Sequence, residues 1–156
     1  MRLRFSLGGK DHMAIIEKRF NRDIVALDVS ATVADAARVM ADRRIGSVGV
    51  RKDGKVVGLV TERDLVFRGL AVGDTTKITL GEIARTDLPF VKPDTEDREV
   101  AEVMRRNYTR HVLVKDGSTV VGVVSMLDVL QLMLDEKEWL MGQLNQYIKG
   151  GRGLSW

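Results

Sequence analysis

Cysteine is absent from the 156 residues, and histidine occurs only as His12 and His111. The first absence excludes disulfides, thiolate nucleophiles and cysteine-ligated zinc, and fits a reducing cytoplasm. The second leaves too few imidazoles for a multi-histidine metal site within one chain. No apolar run approaches the roughly 20 residues a membrane helix needs, so no membrane partner is expected. The opening stretch from Met1 to His12 lacks the apolar core of a secretory signal. It reads as a flexible leader, either vector-derived or upstream of a start at Met13. Its Gly8-Gly9-Lys10 lacks the longer glycine-rich loop of a P-loop. A concentrated basic stripe is missing as well: 25 Lys and Arg are mixed with 22 Asp and Glu, for a net charge of +3. Nucleic acid is therefore disfavoured as a partner. No nucleophile–base pair or cluster of metal ligands stands out, so neither catalysis nor a catalytic cofactor is expected.

What the chain does contain is itself, twice. Residues 23–66 moved forward by 64 positions fall on 87–130 without a gap, with about one identity in four. Ala37, Val39 and Met40 meet Ala101, Val103 and Met104, and Val56-Val57-Gly58 meets Val120-Val121-Gly122. The matches share one register and sit on apolar or turn positions. Two copies of one small unit imply a pseudo-symmetric body with a cleft between its halves.

Each copy reads strand, helix, strand, strand, helix. In the first, Ile24 to Leu27 is a short strand, and Thr32 with Asp35 forms a capping box opening a helix that buries Val33, Ala36, Ala37 and Met40. Ile45 to Val50 and Val56 to Val60 are strands joined at Asp53-Gly54, a pair that tolerates the positive φ of a tight hairpin. Thr61 opens a helix ending near Gly69. In the second copy, strands cover Leu88 to Val91, His111 to Val114 and Val120 to Val124, with a turn at Asp116-Gly117. One helix starts at Pro93-Asp94 and reaches about Asn107, and Ser125 opens the last. Between the copies, Leu80 to Ile83 forms a short helical turn. In the last helix Leu127, Leu130, Leu134, Met141, Leu144 and Ile148 occupy heptad a and d positions, with Lys137 interrupting one d and Trp139 and Tyr147 beside the stripe. Such a stripe needs an apolar partner, either its own chain or a second one.

The informative pair of segments is Gly58-Leu59-Val60-Thr61-Glu62-Arg63-Asp64 and Gly122-Val123-Val124-Ser125-Met126-Leu127-Asp128. Each carries glycine, two apolar residues, a hydroxyl, two variable residues and aspartate. The plainer reading is a helix cap, which stabilises by about 0.5–2 kcal/mol. The functional reading is a ribose 5′-phosphate site. Backbone N–H groups at a helix start and the Thr61 or Ser125 hydroxyl suit phosphate, while Asp64 or Asp128 can accept from vicinal sugar hydroxyls. Gly58 and Gly122 would give a flat base room beside the strand.

With two such signatures in matching repeats, the chain resembles a tandem pair of cystathionine-β-synthase (CBS) domains, a Bateman module, over about residues 20–135. The resemblance implies an α+β fold of two pseudo-symmetric β-α-β-β-α units packed through their sheets, extended here by the C-terminal helix. It also implies two clefts for adenosine-containing ligands, with phosphate contacts drawn from the start of the opposite unit's second strand. Carried over by position, the first site comprises Thr61, Arg63, Asp64, Arg110 and His111. The second comprises Ser125 and Asp128 with Gly46 and Ser47 from the opposite unit, and Arg44 as a substitute cation. The second site is the poorer: Gly46 and Ser47 replace Arg110 and His111, and Met126 and Leu127 replace Glu62 and Arg63. The proline frequent in the family's second strand is replaced by Gly49 and Leu113.

The expected organisation is a leader over 1–19, unit one over 20–70, a connector over 71–86, unit two over 87–135, a helix extension over 136–149 and a flexible tail over 150–156. The expected activity is that of a cytoplasmic, homodimeric adenine-nucleotide sensor reporting to a separate effector protein. AMP heads the candidate ligands, followed by ATP, ADP, NAD and S-adenosylmethionine. A ligand-independent dimerisation scaffold, or a nucleic-acid-associated adaptor, is the alternative.

Overall fold

The computed structural model describes residues 20 and 22–150; the expected leader, with His12 and Met13, and the tail after Gly150 lie outside the described residues. The first unit runs β1 (Ala26–Asp28), α1 (Val33–Arg43), β2 (Ser47–Lys52), β3 (Lys55–Thr61) and α2 (Glu62–Asp64), which widens into a π-helical stretch, Leu65–Leu70. After α3 (Leu80–Ile83) the order returns as β4 (Phe90–Val91), α4 (Asp97–Arg106), β5 (His111–Asp116), β6 (Thr119–Ser125) and α5 (Met126–Gly150). In each three-stranded sheet the first strand pairs parallel with the second, and the second antiparallel with the third. The fold class is thus α+β, with the sequence offset of 64 carried into the hydrogen bonding. Ser47 faces Thr61 and His111 faces Ser125, and a register shift follows Val50 in one sheet and Val114 in the other.

Local chemistry accounts for these elements. Asp53 and Gly54 have φ of 50° and 76°, the two positive values that a tight two-residue hairpin demands. At the start of α1 the Thr32 N–H and hydroxyl donate to Asp35 Oδ2 (3.0 and 2.8 Å), and the Asp35 N–H donates back to Thr32 Oγ1 (3.2 Å). Val33, Ala36 and Met40 are buried as expected, but Ala37 is exposed. The helix expected from Pro93 begins only at Asp97. Pro93 and Asp94 instead occupy the centre of a β-turn closed by Thr95 N–H donating to Lys92 O (3.1 Å), where proline's fixed φ is favoured. The copy at Asp28 makes the same turn, with Ala31 N–H donating to Asp28 O (3.0 Å).

Two unit cores and one junction hold the chain together. Val48, Val50, Val60 and Leu80 centre the first core; Val100, Met104, Val112 and Val124 centre the second. Phe20, the first residue of the expected first unit, packs into the second unit's core. Leu59, Leu88 and Leu113 form a third cluster in which β3 meets the second unit. Leu59 also exchanges both backbone hydrogen bonds with Arg85 (3.1 and 3.0 Å), stitching the connector to the first sheet. On α5 the buried face carries Val129 and Leu132. The heptad stripe is turned away from that face: Leu127, Leu130, Leu134, Met141, Leu144 and Ile148 are 48–75% exposed, so the described residues do not cover them. No helix among the described residues is long and apolar enough to cross a membrane.

Candidate functional site

Four turns in this chain pair a hydroxyl with an acid three residues on, and in all four the N–H and hydroxyl of the first residue donate to that acid. Thr61 N–H and hydroxyl donate to Asp64 Oδ2 (2.9 and 2.8 Å), and the Asp64 N–H donates to Thr61 Oγ1 (3.4 Å). Ser125 and Asp128 repeat this at 2.8, 2.6 and 3.2 Å. Thr32 with Asp35 and Thr79 with Glu82 make equivalent contacts elsewhere. The capping reading is therefore correct for every copy. It does not exhaust Asp64 and Asp128, because the cap engages only Oδ2 of each carboxylate. What separates these two turns from the others is that both open into cavities between the units.

The first cavity, of about 530 Å³, brings together Thr61, Arg63 and Asp64 of unit one with Arg110 and His111 of unit two. Asp64 is 7% exposed, with its Oδ1 3.8 Å from Arg68 Nε. The Arg63 guanidinium stands 5.1 Å over the Phe67 ring. The second cavity, of about 620 Å³, unites Ser125 and Asp128 with Arg44, Gly46 and Ser47, so all ten residues singled out in the sequence line one cavity or the other. Gly46, Arg110 and His111 line both. The second cleft is thus less impoverished than strand position implied, because the two cavities share a wall. Glu62 belongs to that wall, its N–H donating to Gly46 O (3.1 Å).

Two glycine assignments change. An ideal Cβ at Gly58 would lie 2.7 Å from Arg85 O, so this glycine admits the connector backbone rather than a base. Neither Gly58 nor Gly122 lines either cavity. Gly49 does line the second, and its missing side chain makes room for Ile24, whose Cγ2 would sit 2.9 Å from a Cβ there. Leu113, its repeat equivalent, is buried in the junction instead.

Sequence reasoning missed Arg85, Phe67 and Tyr108 in the first cavity and Ile24 and Val25 in the second. Tyr108 was legible in principle, because it is the repeat equivalent of Arg44. Both stand just past a helix in left-handed conformation, φ 50° and 53°, which is uncommon for non-glycine residues. Arg85 carried no such signal, since only the β3–connector bridge places it.

Burial pushes the His111 pKa below its ordinary 6.5; Asp128, Glu62 and Asp64 pull it back up, while Arg110 adds to the lowering. With the folded value below the unfolded one, the unfolded chain takes the proton first as pH falls. The contribution to stability is full above about pH 6.5 and is lost as pH drops through the folded value. Urea unfolding between pH 7 and 5 is expected to show a smaller loss of stability for His111→Asn than for the parent. Identical slopes would overturn this account.

A family model of the CBS domain matches residues 16–70 and again 80–135. The chain belongs to the CBS domain family, as a tandem pair. It is 32% identical over 126 residues to the mitochondrial CBS domain-containing protein CBSX3 of Arabidopsis thaliana, an alignment covering 77% of this chain and 61% of that protein. The chain therefore spans about three fifths of that relative's length. The crystal structure of an uncharacterized conserved protein from Pyrococcus horikoshii matches with a TM-score of 0.71 at 27% identity, over 78% of this chain and 92% of that one. The CBS domain pair of protein MJ0100, solved with 5′-methylthioadenosine and S-adenosyl-L-methionine, shares the fold at 22% identity, with a TM-score of 0.70 over 80% and 98% of the two chains.

Proposed function

We propose that this chain is an adenosine-ligand sensor of the cytoplasm, with no catalytic role, that passes its state to a separate effector protein. One observation carries the reading: both hydroxyl–aspartate turns open into cavities whose opposite walls come from the other unit. In this reading Asp64 and Asp128 take the ribose hydroxyls of an adenosyl ligand. Thr61 and Arg63 on one side and Arg110 and His111 on the other meet its phosphate. That the fold holds 5′-methylthioadenosine and S-adenosylmethionine in MJ0100 supports the ligand class. A ligand gripped from both units biases how they pack, which is the differential contact a population shift needs.

The sensor acts as a homodimer. The α5 stripe is exposed, as are Val66 and Leu70, at 50% and 67%, beside an apolar cavity of about 730 Å³ between α1 and the π-helical stretch. A second chain covering these faces supplies the apolar partner that heptad spacing requires. These surfaces also support the second reading, a dimerisation scaffold whose clefts hold nothing.

Calorimetric titration with AMP, ADP, ATP, NAD and S-adenosylmethionine separates the two readings. Saturable binding of at least one is expected. A folded dimer inert to all five at millimolar concentration leaves the scaffold.

A further inference from the structure

The cavity at Asp64 does not end at the cleft. A further cavity of about 340 Å³ shares Arg63, Asp64, Phe67, Arg85 and Tyr108 with it and adds Arg68 and Asn107. Four guanidinium groups, on Arg63, Arg68, Arg85 and Arg110, thus line one continuous depression that holds only two carboxylates, Glu62 and Asp64. Among the described residues no carboxylate lies within 4 Å of Arg63, Arg85 or Arg110. Arg68 sits 3.8 Å from Asp64 Oδ1, and its Nη1 donates to Ile83 O (3.3 Å). The neighbouring cleft is balanced, with Arg44 and Arg110 against Glu62 and Asp128. A monophosphate carries too little charge and too few oxygens to occupy four forked donors spread over two joined cavities.

We propose that the Asp64 cleft is built for a chain of two or more phosphates, with the phosphates beyond the first running outward to Arg85 and Arg68. This rests on the adenosyl reading and deepens it, making a nucleoside di- or triphosphate the ligand of this cleft. Arg85 is well suited to the task. It is half-buried, and its backbone is fixed to β3 on both sides of the peptide, so its guanidinium starts from an anchored base. The second cleft, which adjoins the apolar cavity through Arg44, Ile45 and Glu62 and has no excess of cations, takes the uncharged or less anionic adenosyl compounds.

The test is calorimetry on the full chain with adenosine, AMP, ADP, ATP and pyrophosphate alone. ADP and ATP are expected to bind at least about tenfold more tightly than AMP, the worth of one or two added charge-assisted contacts. Arg85→Gln and Arg68→Gln are expected to bring that ratio to within about threefold, with unchanged thermal unfolding showing that each variant is folded. AMP binding as tightly as ATP to the parent protein overturns the proposal, whatever the variants do. So does an equal loss for all three nucleotides in both variants. Binding of adenosine or AMP without any gain from further phosphates refutes this inference alone and leaves the sensor reading standing. Binding of pyrophosphate, weakened by the two variants, in a protein that ignores every adenosine compound upholds the phosphate-chain subsite and refutes the adenosyl reading.

Discussion

Leu59→Ala is expected to remove about 2–5 kcal/mol of unfolding free energy, the range for truncating a buried leucine whose surroundings cannot fully collapse. Leu59 is 1% exposed and packs with Leu88 and Leu113 at the junction of the units, not in the core of either. The cavity therefore opens where two rigid sheets meet. Leu59 also lines the second inter-unit cavity, so the vacated space joins it. Leu113→Ala, 5% exposed in the same cluster, is expected to cost a similar amount. The double variant is expected to lose less than the sum, because both substitutions empty one shared contact. Urea or guanidinium unfolding of the four proteins checks this. Strict additivity would show that the two leucines are not coupled, and a loss under 1 kcal/mol for Leu59→Ala would show that the junction carries little of the stability.

Asp64→Ala should weaken binding of the favoured nucleotide by about 1.5–3 kcal/mol, the worth of hydrogen bonds to a charged acceptor, or roughly 10- to 150-fold in Kd. The same substitution also removes a helix cap, worth about 0.5–2 kcal/mol of stability. Stability alone therefore cannot separate the two roles. Asp35→Ala supplies the control, for Thr32 and Asp35 make the same three hydrogen bonds at 2.8–3.2 Å but line neither inter-unit cavity. Both variants are expected to lose stability, and only Asp64→Ala to lose affinity. Equal affinities in the two, measured by calorimetry at a temperature where both are fully folded, would reduce Asp64 to a cap.

Much of this was legible in the sequence because the duplication tests itself. The offset that aligns Val56-Val57-Gly58 with Val120-Val121-Gly122 also aligns β3 with β6 residue for residue. A local signal taken without that offset misleads at the start of α4, for the offset carries Val33 onto Asp97. Pro93 was read as a helix start, yet it serves the turn that Asp28 makes in the first unit, and the helix begins three residues after Asp94. The clefts were legible as far as strand ends and capping signatures reach. Arg85 was not, because its place comes from a bridge to Leu59 across a connector with no periodicity. The role of Gly58 was hidden for the same reason: the atom that forbids its Cβ belongs to Arg85. The shared wall was hidden too, since linear correspondence assigns Arg110 and His111 to one cleft while folded geometry gives them to both.

Neither half of this protein contains the whole of either inter-unit cleft. Thr61 and Asp64 face Arg110 and His111, and Ser125 and Asp128 face Gly46 and Ser47. One unit on its own carries a capped turn and only one wall of each cleft. A single copy could complete such a cleft only where two chains met. Joining the copies in one polypeptide made that meeting intramolecular, and so independent of protein concentration. It also leaves the facing surfaces free to differ, as Gly46 and Ser47 differ from Arg110 and His111 at the equivalent positions.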